Sequence, residues 1–353
     1  MGKQGKERAK ARREQRLQEI SRLRKLPYSS VERSGPLRSP HARHTPATRS
    51  SNCLPLPTLF HPPFVCPSTR WWSSETVAVV TGANRGIGYE IAHQLAVHGL
   101  RVILTARDAD RGRAAADGLR GEGLNVEFRQ LDVSRPDSVE SFAKWIAEKY
   151  GGLDIMVNNA GVNFNTGANN SVEFAEEVIA TNYFGTKRMI EIFISMMRPT
   201  TSGARILNIS SRLGRVNGRR NRVGDMTLRE QLLKDDCLSE ELIDDMAANF
   251  LCQVKEGTWA SNEWPQMYTD YSVSKLAVNL YTRLMARRLA DRPEGHKIYI
   301  NCYCPGWVKT AMTGWAGNAS AEEGADTGVW IALLPCQQLT TGKFFAERRE
   351  ISF

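Results

Sequence analysis

Two side chains one helical turn apart, Tyr271 and Lys275, form the pattern with the most direct chemical meaning in this sequence. Residues at positions i and i+4 of a helix lie on one face, so the phenol and the ammonium would be neighbours. A nearby cation stabilises a phenolate and therefore lowers the pKa of a tyrosine from its ordinary value of about 10. We predict that the pair acts as an acid–base device near neutral pH.

The same spacing occurs a second time, at Tyr183 and Lys187, so spacing alone does not identify the reactive pair. Two hydroxyls, Ser210 and Ser211, end a predicted strand that comes before Tyr271 in the chain, so they could act together with the Tyr271/Lys275 pair. A serine there can donate a hydrogen bond to a carbonyl oxygen that Tyr271 then protonates. Adjacent serines are also common turn formers, so their meaning depends on Tyr271 lying at the same edge of the fold.

The elements that must position these residues alternate between strand and helix from Trp71 onward, which is typical of a parallel α/β sheet. We predict seven strands, at residues 76–81, 101–106, 126–133, 153–157, 204–209, 297–303 and 343–346. Helices are predicted from the first loop to 98, over 109–121, 136–150, 172–198 and 321–333, and from Tyr271 to about 289. Residues 212–266 interrupt the alternation, since they hold no predicted strand and an acidic helical stretch at 238–250.

A glycine-rich turn, with Gly82, Gly86 and Gly88, lies directly between the first predicted strand and the first helix. Glycines at such a turn let the backbone approach a pyrophosphate, whose charge meets the free N–H groups at the helix start. The spacing lacks the Lys-Ser/Thr ending of a P-loop, which argues against a nucleotide hydrolase. The turn therefore predicts a dinucleotide site.

The residues after the second strand indicate which dinucleotide is bound. Arg107 ends that strand, Arg111 lies one turn on, and Arg85 adds a cation from the glycine-rich turn. Arginine suits a 2′-phosphate through its forked donors, whereas an acid would bind the free 2′-hydroxyl of NAD. We predict NADP(H). Asp108, next to Arg107, keeps NAD open as the alternative, with the arginines as ordinary surface residues.

Other polar residues end strands at the same predicted edge of the sheet. Asp132 follows the third strand, where an adenine would lie, and Asn159, Ala160 and Gly161 end the fourth. The carboxyl ends of the strands in open α/β sheets form the crevice in which ligands bind. The alternative is a group of turn residues that only reverses the chain.

Taken in chain order, these motifs resemble those of the short-chain dehydrogenase/reductase family over residues 74–353. The resemblance rests on Thr81–Gly88, Asn158–Gly161, Asn182, Ser211, Tyr271 with Lys275, and Pro305-Gly306. It implies a single doubly wound α/β domain of the Rossmann type with strand order 3-2-1-4-5-6-7. It also implies a catalytic set of Asn182, Ser211, Tyr271 and Lys275, in which Asn182 anchors a water that relays protons to Lys275. Because the family tyrosine follows the serine strand, Tyr183 is excluded.

The resemblance extends the cofactor site to the loop after the sixth strand, which would border the nicotinamide. The predicted cofactor contacts are Gly82, Asn84, Arg85, Gly86, Ile87, Gly88, Arg107, Arg111, Asp132, Val133, Asn159, Ala160, Gly161, Tyr271, Lys275, Pro305, Gly306, Val308 and Thr310. The implied reaction is the reversible reduction of a ketone or aldehyde by NADPH without a metal ion. The alternative is an NADP-binding scaffold or regulator without turnover.

Ser211 and Tyr271 are 60 residues apart, whereas most members of the family place the two far closer together, so this distance indicates a particular branch of the family. A helical insertion at about 212–266 is similar to that of monomeric carbonyl reductases and of plant menthone/neomenthol and salutaridine reductases. It would cover the face with which oligomeric members pair, so a monomer is implied. We expect the insertion and the region 307–325 to line the substrate pocket. Four tryptophans suggest an apolar small-molecule carbonyl substrate, unless they form the insertion's own core: Trp259, Trp264, Trp307 and Trp315.

The basic charge of the chain is concentrated at its start. The net charge is +9, but residues 1–70 hold 15 of the 47 basic and 4 of the 38 acidic residues, which leaves −2 for the rest. We predict that residues 1–70 are disordered. Their open interpretations are a solvated basic arm, a nucleic-acid-binding arm, a plastid transit peptide or a segment foreign to the natural protein. The scattered cysteines suit a cytoplasmic protein, and no apolar run is long enough for a membrane span.

Overall fold

A computed structural model describes residues 70–165, 172–219, 221–261 and 263–353, together with the isolated residue Gln18. The predicted disordered extension over 1–70 therefore lies outside the described residues, except for Gln18 and Arg70. From Arg70 onward the described chain forms one layered α/β structure. Trp72 anchors its start, since the indole N–H donates to the His98 carbonyl at 3.1 Å.

Eight strands form one sheet in the order β3-β2-β1-β4-β5-β6-β7-β8, and β1 to β7 run parallel. Their bounds are β1 Val77–Val80, β2 Arg101–Ala106, β3 Val126–Gln130, β4 Ile155–Asn158, β5 Ala204–Ile209, β6 Ile298–Tyr303, β7 Phe344–Ala346 and β8 Arg349–Ile351. The predicted doubly wound parallel sheet and its order are confirmed. The order reverses between β1 and β4, and such a switch point opens a crevice at the carboxyl ends of the strands.

The eighth strand was not predicted. It runs antiparallel to β7 through a two-residue turn, Glu347-Arg348, with φ values of 55° and 54°. Such turns require positive φ at both positions and favour Asn-Gly, so Glu-Arg gives no hairpin signal. Contacts hold the turn instead: Arg348 pairs with Asp326, and Arg212 lies 3.3 Å from Glu347.

Nine α-helices join the strands in the described chain. Their bounds are α1 Gly86–Val97, α2 Ala109–Gly121, α3 Pro136–Tyr150, α4 Ala175–Ile179, α5 Thr186–Phe193, α6 Met226–Leu233, α7 Glu240–Glu256, α8 Thr269–Arg288 and α9 Ala321–Ala332. The helix predicted over 172–198 is shorter and is interrupted by a π-helical turn, Ala180–Gly185. α6 was missed because Leu232 is its only buried residue, which leaves no apolar periodicity to detect.

Two apolar layers bury the sheet on its opposite faces. One layer contains Ile91 and Leu95 of α1 with Trp330 of α9, and the other contains Phe142 of α3 with Leu276 of α8. α8 lies between the sheet and the insertion, so it is buried on nearly every side. No helix in the described ranges has the length and apolar character that a membrane crossing needs.

The insertion packs through its own apolar residues. Phe250 of α7 is buried, and its ring lies 5.3 Å from that of Trp264. The Trp264 indole donates to Gln253 Oε1 at 2.7 Å. The suggestion that Trp264 lines a ligand pocket is therefore wrong, because this side chain completes the core of the insertion.

Candidate active site

The glycine-rich turn takes its shape from contacts with the loop after β4. Gly82 has φ +61°, and a Cβ there would lie 2.8 Å from the Ala160 Cα. A Cβ on Gly88 would lie 2.3 Å from Nδ2 of Asn159, whose amide donates to the carbonyls of Thr81 and Gly82 at 2.9 and 3.0 Å. No larger side chain fits at either glycine, so the backbone stays open towards the cleft.

A cleft of about 440 Å³ lies at the carboxyl ends of the strands, over the switch point. Thirteen predicted cofactor residues line it: Gly82, Asn84, Arg85, Gly86, Ile87, Gly88, Arg107, Asp132, Val133, Asn159, Ala160, Gly161 and Thr310. Six further residues line it. Sequence reasoning missed Leu131, Val162 and Thr181, whereas Ala311, Met312 and Trp315 belong to the region 307–325 that it assigned to the substrate pocket. A larger groove of about 700 Å³, along β3, shares none of these residues.

The arginines predicted to read the 2′ position have different surroundings. Arg107 lines the cleft, and its Nη1 lies 3.5 Å from Glu177 of α4. Arg111 is not part of the cleft wall, and its Nε lies 3.4 Å from Asp108. The Asp108 carboxylate also caps α2 by accepting the Arg111 backbone N–H at 3.0 Å. This acid is therefore directed towards its own helix and does not line the cleft.

Asp132 is held in place within its turn. Its Oδ1 accepts hydrogen bonds from the backbone N–H and the hydroxyl of Ser134, at 3.0 and 2.6 Å. Val133 is buried, and a Cβ on Gly185 of the π-helical turn would lie 2.8 Å from its side chain. The loop after β3 is thus fixed on both sides where it borders the cleft.

The two serines after β5 have different surroundings. Ser210 is buried and its hydroxyl donates to the Lys275 carbonyl at 3.3 Å. Ser211 is half-buried, and its Oγ accepts the Leu213 N–H at 3.1 Å. The Ser211 hydroxyl also lies near enough to the Tyr271 phenol to lower the pKa of that phenol. The structure therefore brings together the predicted serine and tyrosine, although 60 residues separate them.

Tyr271 and Lys275 lie in the first two turns of α8, with Lys275 Nζ 5.6 Å from the centre of the phenol ring. Nζ donates to the Ile209 carbonyl at 2.8 Å. Burial lowers the pKa of Lys275 to about 8, although the Cys304 and Cys302 thiols act in the opposite direction.

The expected lowering of the Tyr271 pKa by Lys275 is wrong for this structure. Burial is the largest influence and raises the pKa of Tyr271, the nearby Cys304 adds to this, and only the Ser211 hydroxyl lowers it. The physical reason is that the surrounding protein partly shields the phenol from water, while Lys275 directs its ammonium to a backbone carbonyl. The Tyr271 phenol is thereby kept in the protonated form that donates.

Asn182 lies in the π-helical turn and is fully buried. Its Oδ1 accepts the Val162 N–H at 2.7 Å, and its Nδ2 donates to the Val162 carbonyl and the Ser274 hydroxyl, each at 3.0 Å. The amide therefore joins the loop after β4 to α8. Single π-helical turns are often found at functional sites.

The loop after β6 closes the cleft on its far side. Thr310 contacts the glycine-rich turn, since a Cβ on Gly86 would lie 3.3 Å from its Cγ2. Gly306 has φ +91°, and Val308 is buried. Pro305, Gly306 and Val308, which were predicted as cofactor contacts, are not part of the cleft wall. No cluster of metal-ligating side chains occurs within the described ranges.

The predicted exclusion of Tyr183 agrees with its surroundings. The Tyr183 hydroxyl is buried and donates to Asp244 Oδ1 at 2.6 Å. Lys187 lies 2.5 Å from Asp244 and 2.6 Å from Glu240, both on α7. This second pair fastens the insertion to the domain.

Comparison with known proteins gives a consistent result. A family model described as short chain dehydrogenase matches residues 76–223. The (+)-neomenthol dehydrogenase of Arabidopsis thaliana is 39% identical over 299 residues, which cover 78% of this chain and 97% of that protein. Carbonyl reductase (NADPH) 1 of Bos taurus is 37% identical, with 80% of this chain and 99% of that protein covered.

Solved structures show the same relationship. Salutaridine reductase from Papaver somniferum superposes with a TM-score of 0.69 at 36% identity, covering 76% of this chain and 99% of that one. The length and identity of these matches place this chain in the short-chain dehydrogenase/reductase family.

Proposed function

We propose that this protein reduces a ketone or aldehyde to an alcohol with NADPH, in a reversible hydride transfer. The observation that carries the proposal is the grouping of the Ser211 hydroxyl, the Tyr271 phenol and the Lys275 ammonium, with Lys275 Nζ 5.6 Å from the centre of the phenol ring. A hydroxyl pair of this kind can donate twice to one carbonyl oxygen. The relatives named carbonyl reductase and neomenthol dehydrogenase support the same reaction class.

The residues of the cleft fit a dinucleotide. The backbone at Gly82 and Gly88 leaves no room for a side chain, and the start of α1 supplies free N–H groups to a pyrophosphate. Arg85 and Arg107 border the cleft and can pair with a 2′-phosphate. When bound, the reduced nicotinamide supplies the hydride.

The chain's own residues supply the proton. Ser211 and Tyr271 donate hydrogen bonds to the substrate oxygen, and the Tyr271 O–H proton is transferred to it as the alcohol forms. Lys275 then returns a proton towards the phenolate, because burial has made its ammonium more acidic than usual. Asn182 uses one Oδ1 lone pair on Val162, so the other can hold the predicted relay water.

A screen for NADPH oxidation over monoterpenoid, quinone and aliphatic carbonyls tests the activity and identifies the substrate class. We expect turnover with at least one class, monitored by loss of the nicotinamide absorbance. Binding of NADPH without turnover in any class would favour the alternative, a scaffold or regulator.

The preference for NADPH is tested by Arg107→Ala. We expect NADPH binding to weaken by about 10–100-fold and NADH binding by less than about twofold, because only NADPH carries the 2′-phosphate. Arg111→Ala is the matched control, since Arg111 lies outside the cleft wall. Equal losses for both nucleotides in Arg107→Ala would show that Arg107 does not read the 2′-phosphate.

We also propose a monomer in the cytoplasm. The insertion helix α7 covers α5 and α8 through ion pairs such as Lys187 with Asp244 and Arg288 with Glu240. The five described cysteines are free thiols, which suits a reducing compartment. Light scattering tests the monomer, and fluorescent fusions with and without residues 1–70 test the location and the plastid alternative.

A further inference from the structure

Asn221, in the insertion, makes hydrogen bonds to both sides of the Ser211–Tyr271 pair. It is only 6% exposed. Its Nδ2 donates to the Leu213 carbonyl at 3.1 Å, and its Oδ1 accepts the Met267 N–H at 2.8 Å. Nδ2 also donates to the Ser272 hydroxyl at 3.0 Å. One amide thus joins two segments that are far apart in the sequence.

On the serine side, Asn221 holds the turn that Ser211 begins. Ser211 caps the short 3₁₀ helix Arg212–Gly214 by accepting the Leu213 N–H. The carbonyl of the same Leu213 accepts from Asn221. The backbone of Gly214 lies against α8, since a Cβ there would be 2.3 Å from the Lys275 carbonyl carbon. Movement of Leu213 would therefore displace the Ser211 hydroxyl.

On the tyrosine side, Asn221 holds the residues that start α8. Tyr268, just before the helix, has φ 48° and ψ 59°, a left-handed conformation that side chains rarely adopt. Asn221 binds the N–H of Met267, immediately before it, and the hydroxyl of Ser272, after it. Ser272 in turn donates to the Met267 carbonyl at 2.6 Å. Strained residues persist where such contacts over-determine them.

We propose that Asn221 is a positioning residue that sets the spacing between Ser211 and Tyr271. The inference rests on the proposed function, because it concerns the same hydroxyl pair. It assigns the insertion a role besides covering a surface. The chain leaves the site after Ser211 and returns at Tyr271, and Asn221 fixes the two ends relative to each other.

The proposal is tested by Asn221→Ala and by Asn221→Asp. The aspartate keeps the size and the acceptor for Met267 but loses both donations. We expect kcat to fall by about 10–100-fold in each variant, since small misplacements of reacting groups have effects of this size. The KM for NADPH should change by less than about twofold, because Asn221 lies outside the cleft wall.

Asn301→Ala is the matched control. Asn301 is 3% exposed and also makes two backbone hydrogen bonds, to the Thr340 carbonyl at 2.7 Å and from the Lys343 N–H at 3.0 Å. It should lower the melting temperature in a comparable way and leave kcat within about twofold. An equal loss of kcat in Asn301→Ala and Asn221→Ala would reduce Asn221 to a general structural role and overturn the proposal.

A spectroscopic readout separates this proposal from the proposed function. With ¹³Cζ-labelled tyrosine, the Tyr271 resonance is assigned by its absence in Tyr271→Phe, and Ser211→Ala reports the effect of removing the Ser211 hydroxyl from beside the phenol. We expect Asn221→Ala to move the resonance in the same direction as Ser211→Ala, and Asn301→Ala to leave it unchanged. An unmoved resonance in Asn221→Ala refutes the positioning role. Absence of turnover in the unmodified protein would refute the proposed function alone.

Discussion

Tyr271 with Lys275 and Tyr183 with Lys187 have the same spacing and opposite surroundings. Tyr183 donates to Asp244, and Lys187 lies between Asp244 and Glu240. Tyr271 instead meets the Ser211 hydroxyl, and Lys275 meets a backbone carbonyl. The pKa of Lys187 is raised, since its carboxylate partners outweigh the effect of burial, whereas burial lowers that of Lys275.

The difference shows that the chemistry of a Tyr/Lys pair depends on the other groups that the two side chains contact. The Asp244 and Glu240 carboxylates accept the hydrogen bonds of Tyr183 and Lys187, so this pair has a structural role and attaches α7 to the rest of the domain. Tyr271 and Lys275 instead lie beside the Ser211 hydroxyl and the Ile209 carbonyl, so the Tyr271 phenol keeps a proton that it can donate to a substrate. Substitutions at matching positions should therefore have different consequences.

The largest contrast is expected between the two tyrosines. Tyr271→Phe should lower kcat by about 10³–10⁴-fold, because the proton donor is removed, while NADPH affinity is nearly retained. Tyr183→Phe should leave kcat within about twofold and cost about 1 kcal/mol of unfolding free energy, through the lost hydrogen bond to Asp244. Steady-state kinetics and urea unfolding measure both. More than a few per cent of residual turnover in Tyr271→Phe would contradict the assignment.

The two lysines should differ in the sign of the stability change. Lys275→Met should lower kcat by about 10²–10³-fold. It should also raise the free energy of unfolding at pH 7, because burial of this charge disfavours the folded state. Lys187→Met should leave kcat nearly unchanged and lower the free energy of unfolding by about 2 kcal/mol, since Asp244 and Glu240 lose their cation. If the free energy of unfolding changed in the same direction in Lys275→Met and Lys187→Met, the two lysines would not differ in their effect on stability as proposed.

The partners of the tyrosines allow a third test. Ser211→Ala should lower kcat by about 10²-fold, as expected for loss of one donor to a developing oxyanion. Asp244→Asn weakens the partner of Tyr183 and Lys187, so it should lower the melting temperature without a comparable loss of kcat. Thermal unfolding and initial rates in the same preparations give the answer. A catalytic defect in Asp244→Asn would mean that the second pair also serves the reaction.

The smallest expected effect is the pH dependence. The pKa of Lys275 is lowered from 10.5 to about 8, so its ammonium is half lost near pH 8. Carbonyl reduction needs that proton, and its rate should fall by up to about tenfold per pH unit above this point. The unfolded chain binds more protons than the folded one between these two pKa values, so Lys275 makes stability rise with pH there. A pH–rate profile with a flat limb from 8 to 9.5 would argue against this role.

The site residues that could be predicted from the sequence are those that belong to a short local motif. The glycine-rich turn and Ser211 were predicted because they follow strand ends. Tyr271 was predicted from its spacing with Lys275 and from its place after Ser211 in the family order. The direction of the Tyr271 pKa was not predictable, since it depends on how deeply α8 is buried between the sheet and the insertion. Asn221 gives no signal of its own, because its three partners meet only after the insertion has folded.

Long-range geometry also explains the missed cleft residues. Thr181 reaches the cleft from the π-helical turn, whose place in the fold is set by contacts that are distant in the sequence. The π-helical turn at Asn182 is one extra residue in a helix and leaves apolar periodicity almost intact. By contrast, strands such as β1 and β4 were found because buried strands read as continuous apolar runs.

The Glu347-Arg348 turn has a consequence for consensus design of this protein. Statistical preference would replace it by Asn-Gly, which adopts the left-handed conformation more readily. The exchange would remove the partner of Arg212, next to Ser211, and the partner of Asp326 on α9. A library guided by residue frequencies would thus relieve strain in the hairpin but weaken the contacts of the turn that follows Ser211. The substitution that scores best would then lower kcat.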